Sequence, residues 1–309
     1  MHQTCHACGG SLVPRFSSTL DPVTRESFAI HTCAGCGFGH TVPQPESLGR
    51  YYGDTYHGNR HGLTARFCTG RRLGFVAAAM EGQTGSGRRL LDVGCGDGSF
   101  LLAARSAGWE VTGTEMNPAL ARRAGLDVRE GFESLTDCAP FDCVTLWHSL
   151  EHMRDIRATL VHVSGLLKPD GRLIVAVPDN GGFQARVFRQ RWLHLDVPRH
   201  LYHFTDRSLT ICLERAGFSV QRRWHQELEY DLLGWSQSAL NWLFPCPNLF
   251  FCQLTGKPVQ AGLLCKAASY VSGLLLTALA LPAVALGTRF GRGGTLVAVA
   301  RPKRGAGPF

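Results

Sequence analysis

Apolar runs and glycine breaks alternate along the middle of this chain in a pattern that separates strands from helices. Residues 88–93, RRLLDV, read as a buried strand, and Ser99–Ala107 as a helix whose leucines and alanines face inward. The run WEVTGTE reads as a second strand and ends in Glu115. Further on, TDRSLTICLERAGF has the marks of a capped helix, opened by Thr205 and closed by Gly217. Towards the C-terminus the pattern changes. Ala267–Thr288 is 22 residues without a charge, and LLGWSQSALNWLFPCPNLFF upstream is a second apolar stretch.

Composition narrows the picture only moderately. With 309 residues, 44% hydrophobic and 18% charged, the chain can bury one sizeable core and carry one or two small appendages. A net charge of +8 suits nucleic acid, an anionic membrane surface or a phosphorylated substrate, without choosing among them. Twelve cysteines behind a polar opening, MHQTCHACGG, without the apolar run of a cleavable signal, predict a reducing cytoplasm.

Four of those cysteines are spaced for metal. Cys5 and Cys8 form one C-x-x-C and Cys33 and Cys36 a second, each followed by glycine, in CHACGG and CAGCGFG. Two such knuckles let four thiolates converge on a structural Zn2+, with residues 11–32 between them folding as the short strands of a zinc ribbon. The plain alternative is four buried cysteines without a metal. His6, His31 and His40 are read as surface histidines, because four sulfurs already close the site.

The stretch LLDVGCGDGSF carries Gly94, Gly96 and Gly98 on the predicted turn between strand and helix. Backbone that bare lets a ligand lie against the main chain, with unpaired amides at the helix start facing it. Glu115 follows Asp92 by 23 positions, where a carboxylate suits the two hydroxyls of a ribose. A dinucleotide fingerprint would need its third glycine where Ser99 stands.

Asp-x-Gly-x-Gly-x-Gly instead resembles the first motif of class I S-adenosylmethionine-dependent methyltransferases. The resemblance continues through FDCVTLWHSLEHM, similar to that family's fourth strand, LLKPDGRLIVAVPD, similar to its fifth, and LERAGFSV, similar to the entry to its sixth. It implies an α/β fold, a Rossmann-like seven-stranded sheet with an antiparallel last strand, and S-adenosyl-L-methionine as cofactor. Carried over by position, Asp92 and Gly94, Gly96 and Gly98 would lie by the methionine part and Glu115 would hold the ribose. Phe132 or Glu133 would flank adenine, Trp147 and His148 would approach the sulfonium, and Tyr51, Tyr52 and Tyr56 resemble an aromatic cover, with core packing as their other reading.

Two histidine groups compete to supply a base for a hydroxyl acceptor. WHSLEH offers His148, Glu151 and His152 just after the fourth strand; its other reading is a stabilised helix start. This segment is similar to the one that quinone-biosynthetic O-methyltransferases place near a phenolic acceptor, some with a divalent metal. His148 stands where those enzymes commonly carry an acid, which speaks against a catalytic metal. DVPRHLYHF offers Asp196, Arg199, His200 and His203, read as an acceptor pocket or as a structural loop.

The family's sixth and seventh strands normally adjoin, and here the best candidates, 218–226 and TLVAVARP (Thr295–Pro302), stand about 65 residues apart. The intervening apolar segment is long enough to be considered as a membrane span, and Trp235 and Trp242 suit a lipid interface. A seventh strand that rejoins the sheet forbids a single crossing, so the segment is expected to be a hairpin in one leaflet or along its surface, or else a lid on its own domain or a partner. Lys257, Lys266, Arg289 and Arg292 flank it.

The expected organisation is a zinc-ribbon-like module at 1–45, the methyltransferase core at 46–230, the helical insertion at 231–294, and a last strand and tail at 295–309. The expected activity is methyl transfer, on oxygen first, to a small-molecule or lipid-linked acceptor such as a quinone precursor or a glycan, in the cytoplasm or on the inner membrane face. An RNA methyltransferase and a non-catalytic scaffold are the alternatives. The Asn/Asp-Pro-Pro-Tyr/Phe motif of nucleic-acid amino methylation is absent after the fourth strand, which disfavours the first of these.

Overall fold

The computed structural model describes residues 4–22, 24–52, 65–82, 88–135, 138, 140–257 and 260–303. They form two compact units, one from Met1–Gly58, Val177–Ile211 and Trp224–Leu296, the other from Asn59–Ala176, Cys212–Arg223 and Val297–Phe309.

The chain begins with β1 (Leu12–Leu20), β2 (Ser27–Cys33), β3 (Gly39–Val42) and a short α1 (Gly49–Tyr52). Next come α2 (Ala65–Ala79), β4 (Arg89–Val93), α3 (Ser99–Ser106), β5 (Glu110–Thr114), α4 (Ala119–Arg123), β6 (Asp127–Arg129), β7 (Phe141–Trp147), α5 (Ile156–Leu166) and β8 (Leu167–Pro178). The remainder is α6 (Phe183–Phe188), β9 (Tyr202–His203), α7 (Asp206–Arg215), β10 (Phe218–Trp224), α8 (Leu228–Leu243), α9 (Leu249–Leu254), α10 (Leu263–Leu279), α11 (Leu281–Arg289) and β11 (Thr295–Pro302).

The seven-stranded sheet has the order β10-β11-β8-β7-β4-β5-β6, with β11 antiparallel to the rest. Its central strands are apolar because both faces are covered: every residue of β7 is buried, and Leu90, Leu91 and Val93 of β4 are fully inaccessible. Parallel pairing sets Asp92 of β4 opposite Gly113 of β5 and Thr145 of β7. Helix α5 starts where the Asp155 carboxylate accepts the Ala158 amide at 2.8 Å. Helix α7 is bounded as its sequence predicts: Thr205 Oγ1 accepts the Ser208 amide at 3.2 Å, and Gly217 leaves the helix at φ +85°.

The other unit holds an antiparallel four-stranded sheet, β1-β2-β3-β9. The fourth strand lies some 160 residues beyond the other three and pairs Gly39 with His203 and His40 with Tyr202. Phe38 stacks on Tyr202 with centroids 5.4 Å apart, and on the other side Phe16, Phe28, Ile30 and Tyr51 share a core with Phe188 and Trp192. Arg199, 3% exposed, donates to Asp196 Oδ1 at 2.6 Å, Asp21 Oδ1 at 3.0 Å and the Tyr51 carbonyl at 2.8 Å, so its buried charge is fully engaged. The Tyr51 hydroxyl donates to Glu26 at 2.7 Å inside this unit; Tyr56 lies outside the described residues.

Helices α8–α11 complete this unit. Gly273 of α10 lies against the Phe250 ring, where an added Cβ would come within 2.5 Å of ring carbon. Among the described residues no single helix is long and apolar enough to cross a membrane; α10 and α11 meet that measure only together and are bent by 42°.

Candidate active site and thiolate cluster

The glycine turn between β4 and α3 is built by three left-handed residues, Gly94 (φ +76°), Gly96 (φ +59°) and Gly98 (φ +79°). They do different work. A Cβ on Gly94 would stand 2.7 Å from Ser149 Cβ, and one on Gly98 would collide with Leu126 and stand 3.0 Å from Ala121. Both positions are closed by the protein's own packing. Around Gly96 nothing among the described residues lies within 4 Å of such an atom, so the turn opens outward there.

Glu115, just past the end of β5, reaches this opening. Its Oε2 accepts the Gly96 amide at 2.9 Å, while the Gly94 and Cys95 amides bond the Thr114 carbonyl at 2.8 and 2.9 Å. A carboxylate beside open backbone forms a cradle of the kind a ribose and an amino-acid tail require. The fit to a sulfonium nucleoside therefore rests on Gly96 and Glu115.

Asp92 is 3% exposed and accepts Thr145 Oγ1 at 2.6 Å. Burial raises its carboxyl to about 6, with Thr145 and Arg72 acting to lower it and Glu115 to raise it. Arg72 of α2 lies over the Trp147 ring at 5.1 Å, and Phe100 meets the same ring edge-on at 5.6 Å. The buried indole N–H of Trp147 has no hydrogen-bond partner among the described residues.

The segment after β7 packs directly on the glycine turn. Ser149 Oγ donates to the Val93 carbonyl at 2.7 Å, and its Cβ closes the space over Gly94. His148, one residue earlier, is buried in a left-handed conformation (φ +50°) that is uncommon for residues other than glycine. Its Nδ1 stands 3.7 Å from Glu151 Oε1, an ion-pair distance beyond hydrogen-bond reach. His152 closes the short 3-10 turn Leu150–His152 and is half-buried. Phe132 starts another such turn, Phe132–Leu135, with its ring 5.2 Å from that of His162; the Glu133 side chain lies outside the described residues.

His200 and His203 belong to the other unit. Thr41 Oγ1 donates its one proton to the His200 carbonyl at 2.6 Å, so His203 Nε2, 3.0 Å from the same oxygen, must carry the hydrogen of that contact. His200 Nδ1 faces the His194 carbonyl at 2.9 Å and likewise must donate. These two nitrogens are committed as donors within the fold.

The four cysteines meet. Cys5 Sγ lies 3.6 Å from Cys36 Sγ and Cys8 Sγ 3.4 Å from Cys33 Sγ, and all four sulfurs fall within 4.8 Å of one another. A tetrahedral zinc with bonds of about 2.3 Å needs sulfurs about 3.8 Å apart, so the cluster fits the ion. The knuckles are near copies. Gly9 N–H bonds Cys5 O and Gly37 N–H bonds Cys33 O, both at 2.8 Å, with both glycines left-handed. Burial works to raise the Cys33 thiol, yet backbone donors at Cys36 and Gly35 and the Cys8 thiol bring it down to about 7.

Arg72, Thr145 and Ser149 were not singled out by sequence reasoning. Thr145 had a readable signal, a hydroxyl inside the apolar run of β7 that follows Asp142. Arg72 sits in a helix of weak amphipathic pattern and gave none.

A methyltransferase-domain family model matches residues 65–222, just over half of the chain, and the chain belongs to this family of class I folds. It is an S-adenosylmethionine-dependent methyltransferase. Over 168 residues it is 29% identical to a ubiquinone biosynthesis O-methyltransferase of Xanthomonas axonopodis pv. citri, covering 48% of this chain and 69% of that one. Over 154 residues it is 29% identical to the protein of the same description in Xylella fastidiosa, covering 44% and 63%. A solved S-adenosylmethionine-dependent methyltransferase of Archaeoglobus fulgidus aligns over 77% of this chain and 94% of its own, with 17% identity and a TM-score of 0.46.

Proposed function

We propose that the enzyme methylates a hydroxyl oxygen on a small-molecule acceptor, with a phenolic precursor of a quinone as the best-supported class. The observation that carries this is the cradle of Gly96 and Glu115, onto which the segment from His148 to His152 is packed through Ser149 and Gly94. The relatives described as ubiquinone biosynthesis O-methyltransferases support oxygen as the target.

Bound S-adenosylmethionine supplies an electrophilic methyl group, whose bond to sulfur breaks as the acceptor oxygen attacks. Glu115 receives the ribose hydroxyls, sharing or exchanging its bond to the Gly96 amide, the open backbone at Gly96 faces the amino-acid end, and Phe132 borders the adenine. Asp92 holds the base of the turn through Thr145, and Trp147 walls the sulfonium end. His148 takes the acceptor's proton, with Glu151 at 3.7 Å to stabilise the imidazolium. His152 is the second candidate for that role. His200 and His203 remain further candidates, because a donor role for Nδ1 of His200 and Nε2 of His203 makes the other ring nitrogen of each an acceptor. Cys5, Cys8, Cys33 and Cys36 hold a structural zinc.

The test is incubation with methyl-labelled S-adenosylmethionine and separate lipid, sugar-nucleotide and RNA extracts. Label is expected in a low-molecular-weight or lipid-linked phenol as an ether that survives mild base. Label confined to RNA, or to carbon, overturns the proposal. His148→Asn should lower kcat about 100-fold or more with little change in cofactor affinity.

A further inference from the structure

Helix α10 is inside out. Its inward stripe is small and polar: Ser269 is fully buried, Gly273 lies on the Phe250 ring, and Ser272 and Thr277 are half-buried. The large aliphatic residues face outward, with Leu263 84%, Leu264 87%, Val271 58%, Leu275 62% and Leu279 73% exposed. Helix α11 continues the pattern, with Gly287 and Val284 inside and Leu281, Leu286 and the following Phe290 outside. A helix packed on a water-soluble core does the reverse, and a contiguous apolar face of this kind marks a surface that another medium or molecule covers.

Charge identifies the cover. From Leu232 to the C-terminus the chain has no Asp or Glu, whereas Lys257, Lys266, Arg289 and Arg292 border the two helices. Two copies of this face laid together would set these cations against one another with no acid in the segment to neutralise them. Anionic lipid headgroups meet apolar and basic groups at once. Helix α10 has 17 residues, about 26 Å of rise, short of a bilayer's apolar thickness, and the 42° bend before α11 breaks the line. The insertion also leaves from β10 and returns to β11, which are neighbours in one sheet, so its two ends lie on the same side of any bilayer.

We propose that α10 and α11 dock flat on an anionic lipid bilayer, burying their leucines at the acyl boundary, with Lys266 and Arg289 at the headgroups. Tyr270 and Phe290, 41% and 63% exposed, suit that depth. The proposal is independent of the reaction, since vesicle binding and methyl transfer are measured separately.

The experiment is flotation of the full chain with vesicles of phosphatidylcholine alone and of phosphatidylcholine with about one third phosphatidylglycerol. The protein should float with the anionic vesicles and detach progressively as salt rises. Leu275→Glu with Leu279→Glu, at exposed positions that leave packing intact, should cut binding at least about tenfold with circular dichroism and S-adenosylmethionine affinity unchanged. Lys266→Gln with Arg289→Gln should cut anionic-vesicle binding by about tenfold. A chain that stays in the soluble fraction with both vesicle types overturns the proposal. So does a dimer, stable in solution, that Leu275→Glu with Leu279→Glu converts to monomer while vesicle binding is unaffected.

Discussion

The amide of Gly96 donates to the Glu115 carboxylate at 2.9 Å, so the one open position of the glycine turn is tied to the end of the neighbouring strand. A ribose that takes the same carboxylate must share or replace this bond. Glu115→Ala should therefore weaken S-adenosylmethionine binding about 10- to 100-fold, the value of losing hydrogen bonds to a charged group. Calorimetry measures it, and a melting temperature within about 2 °C of the parent's would show that the loss is local.

The three glycines should separate under substitution. Gly98→Ala drives a methyl group into Leu126 in addition to imposing left-handed strain, and should destabilise the fold by about 3 kcal/mol. Gly96→Ala carries only the backbone strain, about 1 kcal/mol, yet places its methyl in the cradle. Denaturation should rank Gly98→Ala worse, and cofactor affinity should fall in Gly96→Ala beyond what its stability explains.

Asp92 makes a pH-dependent prediction with a definite sign. Its carboxyl ionises near 6 in the folded chain against 3.8 in the unfolded one. Between those values the folded state holds more protons, so this group's contribution to stability falls as pH rises, and above about 6 the buried charge costs about 3 kcal/mol. Asp92→Asn should be the more stable protein by up to that amount at pH 8, with the difference shrinking as pH drops towards 4. Urea unfolding across this range measures it. Cofactor affinity should fall in the same variant, a trade of binding for stability.

Zinc loss should be felt far along the sequence. Thr205 Oγ1 donates to the Cys36 carbonyl at 3.0 Å, and β3, which follows the second knuckle, carries β9. Cys33→Ser with Cys36→Ser should lose one equivalent of metal and, by hydrogen exchange, deprotect the backbone around Tyr202 and His203. Full metal content in the double variant would remove these thiolates as ligands.

Much of the fold was legible because its signals are local. The strand from 88 to 93, the helix after it, the capped α7 and the last strand from Thr295 to Pro302 follow from period, glycine and cap residues. The glycine motif predicted where the turn bends. It could not show that Gly94 and Gly98 are bare on account of Ser149 and Leu126, because those neighbours lie 55 and 28 positions away. The hydrogen bonds of the histidines in DVPRHLYHF were hidden for the same reason. Their partners are Thr41, on a strand far back in the chain, and the carbonyl of His194 in a short 3-10 turn, neither of which the sequence announces. The inverted polarity of α10 was hidden too, since an apolar run reads alike whichever of its faces turns outward.

The pairing of β3 with β9 makes the cysteine knuckles inseparable from a stretch late in the chain. Severing the chain after residue 45 would strip β9 of its neighbour on one product and leave an uncovered edge of β3 on the other. Any shuffling of this module among enzymes must carry both pieces together.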